Sequence, residues 1–404
     1  MRVLYLSHGP HVHDIRFLEA IRDAGHETHL VSYWPAPLEA EPPSGIEFTH
    51  YDARFPRLPR ILAHLRALIR KTKPDVVHAG WAGVYGLYAG LTGFRAIVLT
   101  PWGSDILVEP YQSSRARRRV RYALRRAAVV ACDCEYVRQH VLSLSGIAPS
   151  RTMVFPWGID LRLFNPEVEP ADIRAQLGWQ NELVMVMTRN FRPVYGIEVF
   201  LSALPQVVSN CPNARALLVG SGAQEEELRD QVRRLDLEDV VHFAGAVPQK
   251  QMASMLRAAD VYVTTSLSDG TSTSLLEAMA CALPVVVSDC PAYHEWVDDG
   301  WNGFIAPRRD PQGVADRLIR LLQDHQLRAQ MGQDNLRIAR QRADWVRNFA
   351  KLEGAYRRAA GQAPACSPSG SVPLSAGQNL GSEAPAPDVE AQVVGQGSRS
   401  MLVG

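Results

Sequence analysis

Residues 260–289, DVYVTTSLSDGTSTSLLEAMACALPVVVSD, constrain this chain more than any other stretch. An apolar, β-branched run (261–265) enters a polar loop containing glycine (266–274). A short helical pattern (275–282) follows, is stopped by Pro284, and gives way to a second apolar run (285–287). Strand, loop, helix and strand in that order require a parallel crossover, and therefore a doubly wound sheet. Ligands of such sheets sit beyond the carboxyl ends of the strands, which points to Asp269, Gly270, Thr271, Ser272, Thr273 and Ser274. A helix start behind glycine and hydroxyl side chains offers free N–H groups and a positive dipole end, suited to a phosphate. Glu277 falls one turn inside that helix, on the face shared with Thr273 and Ser274. N–H groups for a pyrophosphate beside a carboxylate for two ribose hydroxyls would suit a nucleoside diphosphate. Two plainer readings compete: Ser274 and Glu277 also match a helix capping box, and the loop could be an ordinary strand-to-helix turn.

With 404 residues the chain suggests two or three domains. Its net charge of +1 hides an asymmetry: 21 Lys/Arg against 14 Asp/Glu through Asn165, and 22 against 28 beyond it. A basic half for binding a surface and an acidic half for binding a ligand are the expectation. Cys132, Cys134, Cys211, Cys281, Cys290 and Cys366 have neither disulfide-framework nor zinc spacing, and Cys132-Asp-Cys134 reads as a buried strand end. The first residues enter a strand at once, no apolar run approaches a membrane span, and a cytoplasmic location is expected.

A strand at 2–7 leads through His8-Gly9-Pro10 to a helix at 15–24 and a strand at 28–32. His8, His11 and His13 read either as exposed loop histidines or as the border of a site. Residues 57–73 form a basic amphipathic helix, 75–78 a strand, 80–91 a loop entering a small-residue helix, and 97–100 a strand ending in Pro-Trp102-Gly-Ser-Asp105. Asp105 could cap the following turn as easily as serve a site. The most basic segment is 113–126, in which only Val120 and Leu124 make an apolar stripe, too narrow for a core helix. Between Arg54 and Arg126 there are 15 Lys/Arg and three acids, so 57–73 and 113–126 form a solvated basic face, one that binds an acidic polymer, or one that docks on an anionic membrane. Strands at 183–188, 216–220, 240–243 and 261–265 mark a second α/β half, and 345–358 is an amphipathic helix. From 362 the Pro/Ser/Gly/Ala composition reads as a disordered tail.

Asp269-x7-Glu277 followed by AMACALPVVVSD resembles the acidic-x7-acidic motif of retaining glycosyltransferases of family 4, the glycosyl transferases group 1. The resemblance implies the α/β GT-B fold: two doubly wound, Rossmann-like parallel-sheet domains facing a cleft, with a C-terminal helix returning to the first. It divides the chain into an acceptor-side domain (1–165), a nucleotide-sugar domain (166–344), the returning helix (345–361) and the tail. It implies that Glu277 holds the ribose of the donor, that the N–H groups of 270–274 hold its diphosphate, and that Asp269, usually Glu, lies at the donor sugar. Arg189-Asn-Phe-Arg192-Pro-Val-Tyr195-Gly196 is similar to the family's Arg-x5-Lys-Gly diphosphate clamp, with Tyr195 at the Lys position and Arg192 as a possible substitute. Gly220-Ser-Gly222 resembles the turn beside the nucleotide, and Gly9 the first loop bordering the reaction centre. PWGSD is similar to a His-Gly-x-Asp segment, with Trp102 where a donor-contacting His stands.

The implied catalytic set is Asp269, Arg189 and Asp105. The implied reaction moves a sugar from a UDP- or GDP-sugar to a hydroxyl of a glycan or lipid-linked acceptor, for cell-surface polysaccharide or glycolipid synthesis, with no metal, no cofactor and no nucleic-acid partner. A sugar-nucleotide epimerase shares the fold. The departures at Trp102, Tyr195 and Asp269 also suit a non-catalytic nucleotide-sugar-binding subunit.

Overall fold

Short aliphatic runs that are apolar on both faces belong in parallel sheets covered by helices, and two such sheets form. The computed structural model describes residues 1–9, 12–33, 41–51 and 58–362; His11, Arg57 and the tail beyond Gln362 lie outside the described residues. Two units divide the chain, one of Met1–Phe155 with the segment from Phe349 onward, the other of Pro156–Asn348.

The first unit contains β1 (Arg2–Ser7), β2 (Glu27–Ser32), β3 (Glu47–His50), β4 (Val76–Gly80), β5 (Ile97–Thr100), β6 (Val129–Cys132) and β7 (Thr152–Val154), in the order β3-β2-β1-β4-β5-β6-β7. The second contains β8 (Leu183–Thr188), β9 (Ala214–Val219), β10 (Val241–Gly245), β11 (Val261–Thr264), β12 (Val285–Ser288) and β13 (Gly303–Ala306), in the order β10-β9-β8-β11-β12-β13. The neighbours pair in parallel, for example Val3 with Val76 and Val261 with Met185. In each sheet the winding direction reverses once, between β1 and β4 in the first and between β8 and β11 in the second. Successive residues of β8 alternate between two cores, Met185 and Met187 in one and Val184 and Val186 in the other, as the pleat requires.

Several boundaries move from the sequence expectation. The strand read at 75–78 runs Val76–Gly80, that read at 240–243 runs Val241–Gly245, and the last helix is Trp345–Ala359. The helix read at 275–282 is Thr273–Ala280, because the Ser272 side chain caps it by accepting the Leu275 N–H. Its end is a Schellman turn: Ala282 takes φ +60°, its N–H reaches the Met279 carbonyl, and the Leu283 N–H reaches that of Ala278.

The basic helix Ser114–Arg126 corrects the reading that its apolar stripe is too narrow for a core. Alanines widen the stripe, and Ala116, Val120, Ala123 and Leu124 are all buried. Gly86 of the helix Val84–Thr92 leaves room for Ala123, and Leu58–Thr72 also packs against that helix. Arg119 is bound to Glu109, while Arg115, Arg117, Arg118, Arg121 and Tyr122 are exposed.

The last helix is fastened to the first sheet through His78 of β4. His78 is fully buried, with Nδ1 at 2.7 Å from the Tyr356 hydroxyl and Nε2 at 2.5 Å from Thr100 Oγ1. Burial pushes its pKa down to about 3. A histidine depressed in the folded state supports folding above its unfolded pKa of about 6.5 and loses that support as the pH falls towards 3. Relative to His78→Gln, the wild type is expected to lose about 2 kcal/mol of unfolding free energy between pH 7 and pH 5. Urea titrations of both proteins at the two pH values check this; equal losses would refute it.

Candidate functional site

Two loops leave the carboxyl ends of β8 and β11, on either side of the reversal in the second sheet, where α/β sheets bind ligands. Arg189 is the first residue after β8, and Asp269 and Ser272 belong to the loop after β11. Arg189 Nη2 donates to Asp269 Oδ2 (2.6 Å), Ser272 Oγ (2.6 Å) and the Tyr293 hydroxyl (2.8 Å), and the Tyr293 hydroxyl donates to the same Asp269 oxygen (2.9 Å). The guanidinium carbon lies 4.8 Å from the centroid of the Tyr195 ring. The residue that replaces the clamp's expected lysine is thus a cation–π platform under its arginine.

Side-chain exposure is 9% for Arg189 and 19% for Asp269, so the pair is poorly screened. Burial acts to lower the Arg189 pKa, but Tyr293 and Asp269 outweigh it, and the guanidinium stays charged. Burial raises the Tyr293 phenol well above its usual range, so its proton remains available to Asp269. The other Asp269 oxygen accepts the Gly270 N–H at 3.0 Å.

Backbone contacts fix the two loops. The Leu267 N–H donates to the Val194 carbonyl at 2.8 Å, and Thr265 Oγ1 to that of Gly196 at 2.7 Å. Gly196 has φ +57°, and a Cβ there would stand 2.4 Å from the Thr265 oxygen. At Gly220, φ +151°, a Cβ would stand 2.0 Å from the Arg189 carbonyl oxygen. Gly220 therefore acts on the site through the Arg189 backbone, which only glycine can approach so closely.

Ser272, as N-cap, settles one ambiguity of the sequence. A capping box anchored on Ser272 would place its acid at Leu275, so Glu277, two positions further on, is not that acid. Glu277 is half-buried one turn into the helix. Thr273 and Ser274 open the helix, where backbone N–H groups have no intrahelical acceptor. Ser274 Oγ accepts from the Tyr262 hydroxyl (2.9 Å) and lies 3.2 Å from Ser272 Oγ; Gly270 and Thr271 complete the loop. Arg192 is exposed.

The other two expected site residues belong to the first unit. Gly9, φ +155°, follows β1, with its N–H 3.4 Å from Ser7 Oγ. Asp105 is fully buried and accepts the Ala82 N–H (2.6 Å) and the Trp102 N–H (2.9 Å) on its two oxygens. Burial pushes its carboxyl up to about 7 against those two bonds. Neither a helix cap nor a carboxylate open to substrate, Asp105 ties the loop after β4 to the loop after β5. Tyr293 lies in the single-turn 3-10 helix Pro291–Glu295, and one tyrosine in so short an element has no period by which the sequence would reveal it. The available signal was its place a few residues past the end of β12, at the edge that carries Asp269.

The family model described as Glycosyl transferases group 1 matches residues 170–337, and that described as Glycosyl transferase 4-like matches residues 2–134. A phosphatidyl-myo-inositol mannosyltransferase of Mycolicibacterium smegmatis is 37% identical over 183 residues, 45% of each chain. A D-inositol 3-phosphate glycosyltransferase of Kineococcus radiotolerans is 32% identical over 240 residues, 55% of each chain. The match thus spans about half the length of these curated relatives. Among solved structures, Anabaena Alr3699/HepE in complex with UDP aligns with a TM-score of 0.74 and 23% identity, covering 88% of this chain and 99% of that one. Sucrose-phosphate synthase from Thermosynechococcus elongatus aligns with a TM-score of 0.77 and 20% identity, covering 90% and 100%. The fold is GT-B.

Tyr293→Phe removes a buried hydroxyl shared by Arg189 and Asp269, and is expected to lower the unfolding free energy by about 1–3 kcal/mol. Urea unfolding measures this; an unchanged midpoint and slope would show that the hydroxyl does not hold the pair.

Proposed function

From a chain whose residues 170–337 are a glycosyl transferases group 1 domain and whose residues 2–134 are a glycosyl transferase 4-like domain, we infer a retaining, metal-independent hexosyltransferase. It takes a sugar from a UDP- or GDP-sugar and passes it to a hydroxyl of a glycan or lipid-linked acceptor. The observation that carries this reading is the buried Arg189 guanidinium, bound to the cap residue of a helix whose first N–H groups open beside it.

The bond from the anomeric carbon to the diphosphate oxygen breaks, and negative charge grows on that oxygen. In this reading Arg189 and the N–H groups of Thr273 and Ser274, at the start of the helix, stabilise that charge. The acceptor oxygen bonds to the anomeric carbon on the face the diphosphate leaves, and its proton passes to the departing phosphate. Asp269, shorter than the usual glutamate and committed to Arg189 and the Gly270 N–H, keeps the guanidinium charged and aimed. Glu277, half-buried one turn into the same helix, is our candidate for the ribose hydroxyls, the role that the family resemblance gives to the second acid.

Glu277→Gln is expected to weaken UDP or GDP binding by roughly ten- to a hundredfold, the scale of one charge-assisted hydrogen bond. Calorimetry in buffer with and without EDTA measures this and tests metal independence together. An unchanged affinity in the variant would remove the ribose assignment, and loss of wild-type binding in EDTA would remove metal independence.

A lipid-linked acceptor calls for attachment to the inner face of a membrane, and the exposed arginines of Ser114–Arg126 suit an anionic bilayer, with Tyr122 among them. No helix among the described residues is long and apolar enough to cross a membrane. About 1 kcal/mol per basic residue near an anionic surface makes such attachment reversible and salt-sensitive. The quadruple change of Arg115, Arg117, Arg118 and Arg121 to Glu spares the Arg119–Glu109 pair. Wild-type protein is expected to float with anionic liposomes at low salt, and neither with neutral ones nor as the quadruple variant. Equal, negligible flotation with both liposome types would favour a soluble acceptor.

A further inference from the structure

The loops after β4 and β5 are joined through one side chain, Asp105, which lies in the short helix Ser104–Leu107 and is fully buried. Its Oδ2 accepts the Ala82 N–H at 2.6 Å and its Oδ1 the Trp102 N–H at 2.9 Å, one from each loop. Both donors are neutral, and among the described residues Asp105 has no ion pair. The charges around it are largely negative. Glu109, at 12% side-chain exposure, has Arg119 as its ion-pair partner and presses on the β4 loop, where a Cβ at Gly83 would stand 2.3 Å from its Oε2. Asp133, after β6, is buried. The helix Glu135–Ser145 packs against Ser104–Leu107 and carries Glu135, ion-paired with Arg138. His8 and His13 face the β5 loop, each with its ring centroid 5.7 Å from that of Trp102.

A carboxylate accepts on both oxygens, and each bond it accepts is strengthened by its charge. Protonation turns one oxygen into a donor and weakens what that oxygen accepts. Of the two bonds the longer one, to Trp102, is the one to go. The β4 loop has further anchors: Trp81, held at the strained φ of +71°, donates its N–H to the Thr100 carbonyl at 3.2 Å and its indole Nε1 to Glu109 Oε2 at 2.9 Å.

We propose that Asp105 is a proton-sensitive positioning residue: ionised, it fixes the loops after β4 and β5 against each other; protonated, it gives up the Trp102 N–H and lets the β5 loop move. Burial raises its carboxyl to about 7, with Glu109 and Asp133 adding to the rise and the two N–H groups opposing it. The two forms therefore exchange across neutral pH. A carboxyl raised above its ordinary value of about 3.9 supports folding fully below that value and loses this support as the pH rises through 7. Loop order and global stability thus move in opposite directions. From pH 6 to pH 8 the brace tightens, while the fold loses stability by keeping a charge inside.

Amide hydrogen exchange of the full chain, corrected for the intrinsic pH dependence of exchange and resolved at Trp102, tests this without nucleotide or acceptor, and so stands apart from the transferase reading. In the wild type the Trp102 amide is expected to gain roughly five- to tenfold in protection between pH 6 and pH 8, the scale of one hydrogen bond. Asp105→Asn, neutral at every pH, is expected to show low protection without that rise, and its urea midpoint to climb relative to the wild type's over the same interval. Asp133→Asn removes a neighbouring buried acid and is expected to move the midpoint of the rise to lower pH. Protection at Trp102 that does not change with pH overturns the proposal. A rise that persists in Asp105→Asn overturns it too, and would assign the pH response to His8 or His13. So does a midpoint unmoved in Asp133→Asn, a test that holds even where Asp105→Asn does not fold.

Discussion

A positive charge set inside the edge of a sheet is the constraint on which the second unit is arranged. Arg189 could not remain charged at 9% exposure without partners, and three different parts of the chain supply them: Asp269 and Ser272 after β11, Tyr293 after β12, and Tyr195, whose ring lies beneath the guanidinium. Because one guanidinium nitrogen joins Asp269, Ser272 and Tyr293, the loops cannot shift independently. The glycines at 196 and 220 belong to the same constraint, since each lets backbone pass within a distance that a side chain would forbid. The outcome is a fixed cationic group at a helix N-terminus, the feature on which the proposed diphosphate departure relies.

Departures from the family pattern are answered by their neighbours in space. Tyr195 supplies no second cation, but its ring supports the cation already there. Asp269 is shorter than glutamate, and Tyr293 bonds both it and Arg189. These contacts hold Arg189 charged at the helix start, which favours the proposed transferase over a subunit that has lost its chemistry. Trp102 belongs to a different local design, an aromatic cluster aligned by the buried Asp105.

In both units the winding reverses once, and in both the residues that follow the strands at the reversal carry a feature that packing alone does not explain. The second unit places a buried charge there, the first strained and half-buried aromatics. On the outer layer of the first unit, small residues let basic helices pack closely, so the helix 114–126 joins the core and presents its arginines outward at once.

What the sequence by itself determined was local and periodic: apolar runs in strand-loop-helix order called for parallel sheets, and a glycine- and hydroxyl-containing loop pointed to the start of the helix after β11 as a candidate ligand site. Helix limits drifted by two residues because a cap depends on which of several hydroxyls, Ser272 or Ser274, points at the N–H groups. Only the tertiary structure decided that Ser272 is the cap, that Asp105 braces two loops, and that Tyr293, 104 residues from Arg189 in the chain, shares its proton with Asp269. Such contacts have no sequence period. They exist because crossovers bring the ends of distant strands to one edge, where burial forces polar groups to find one another.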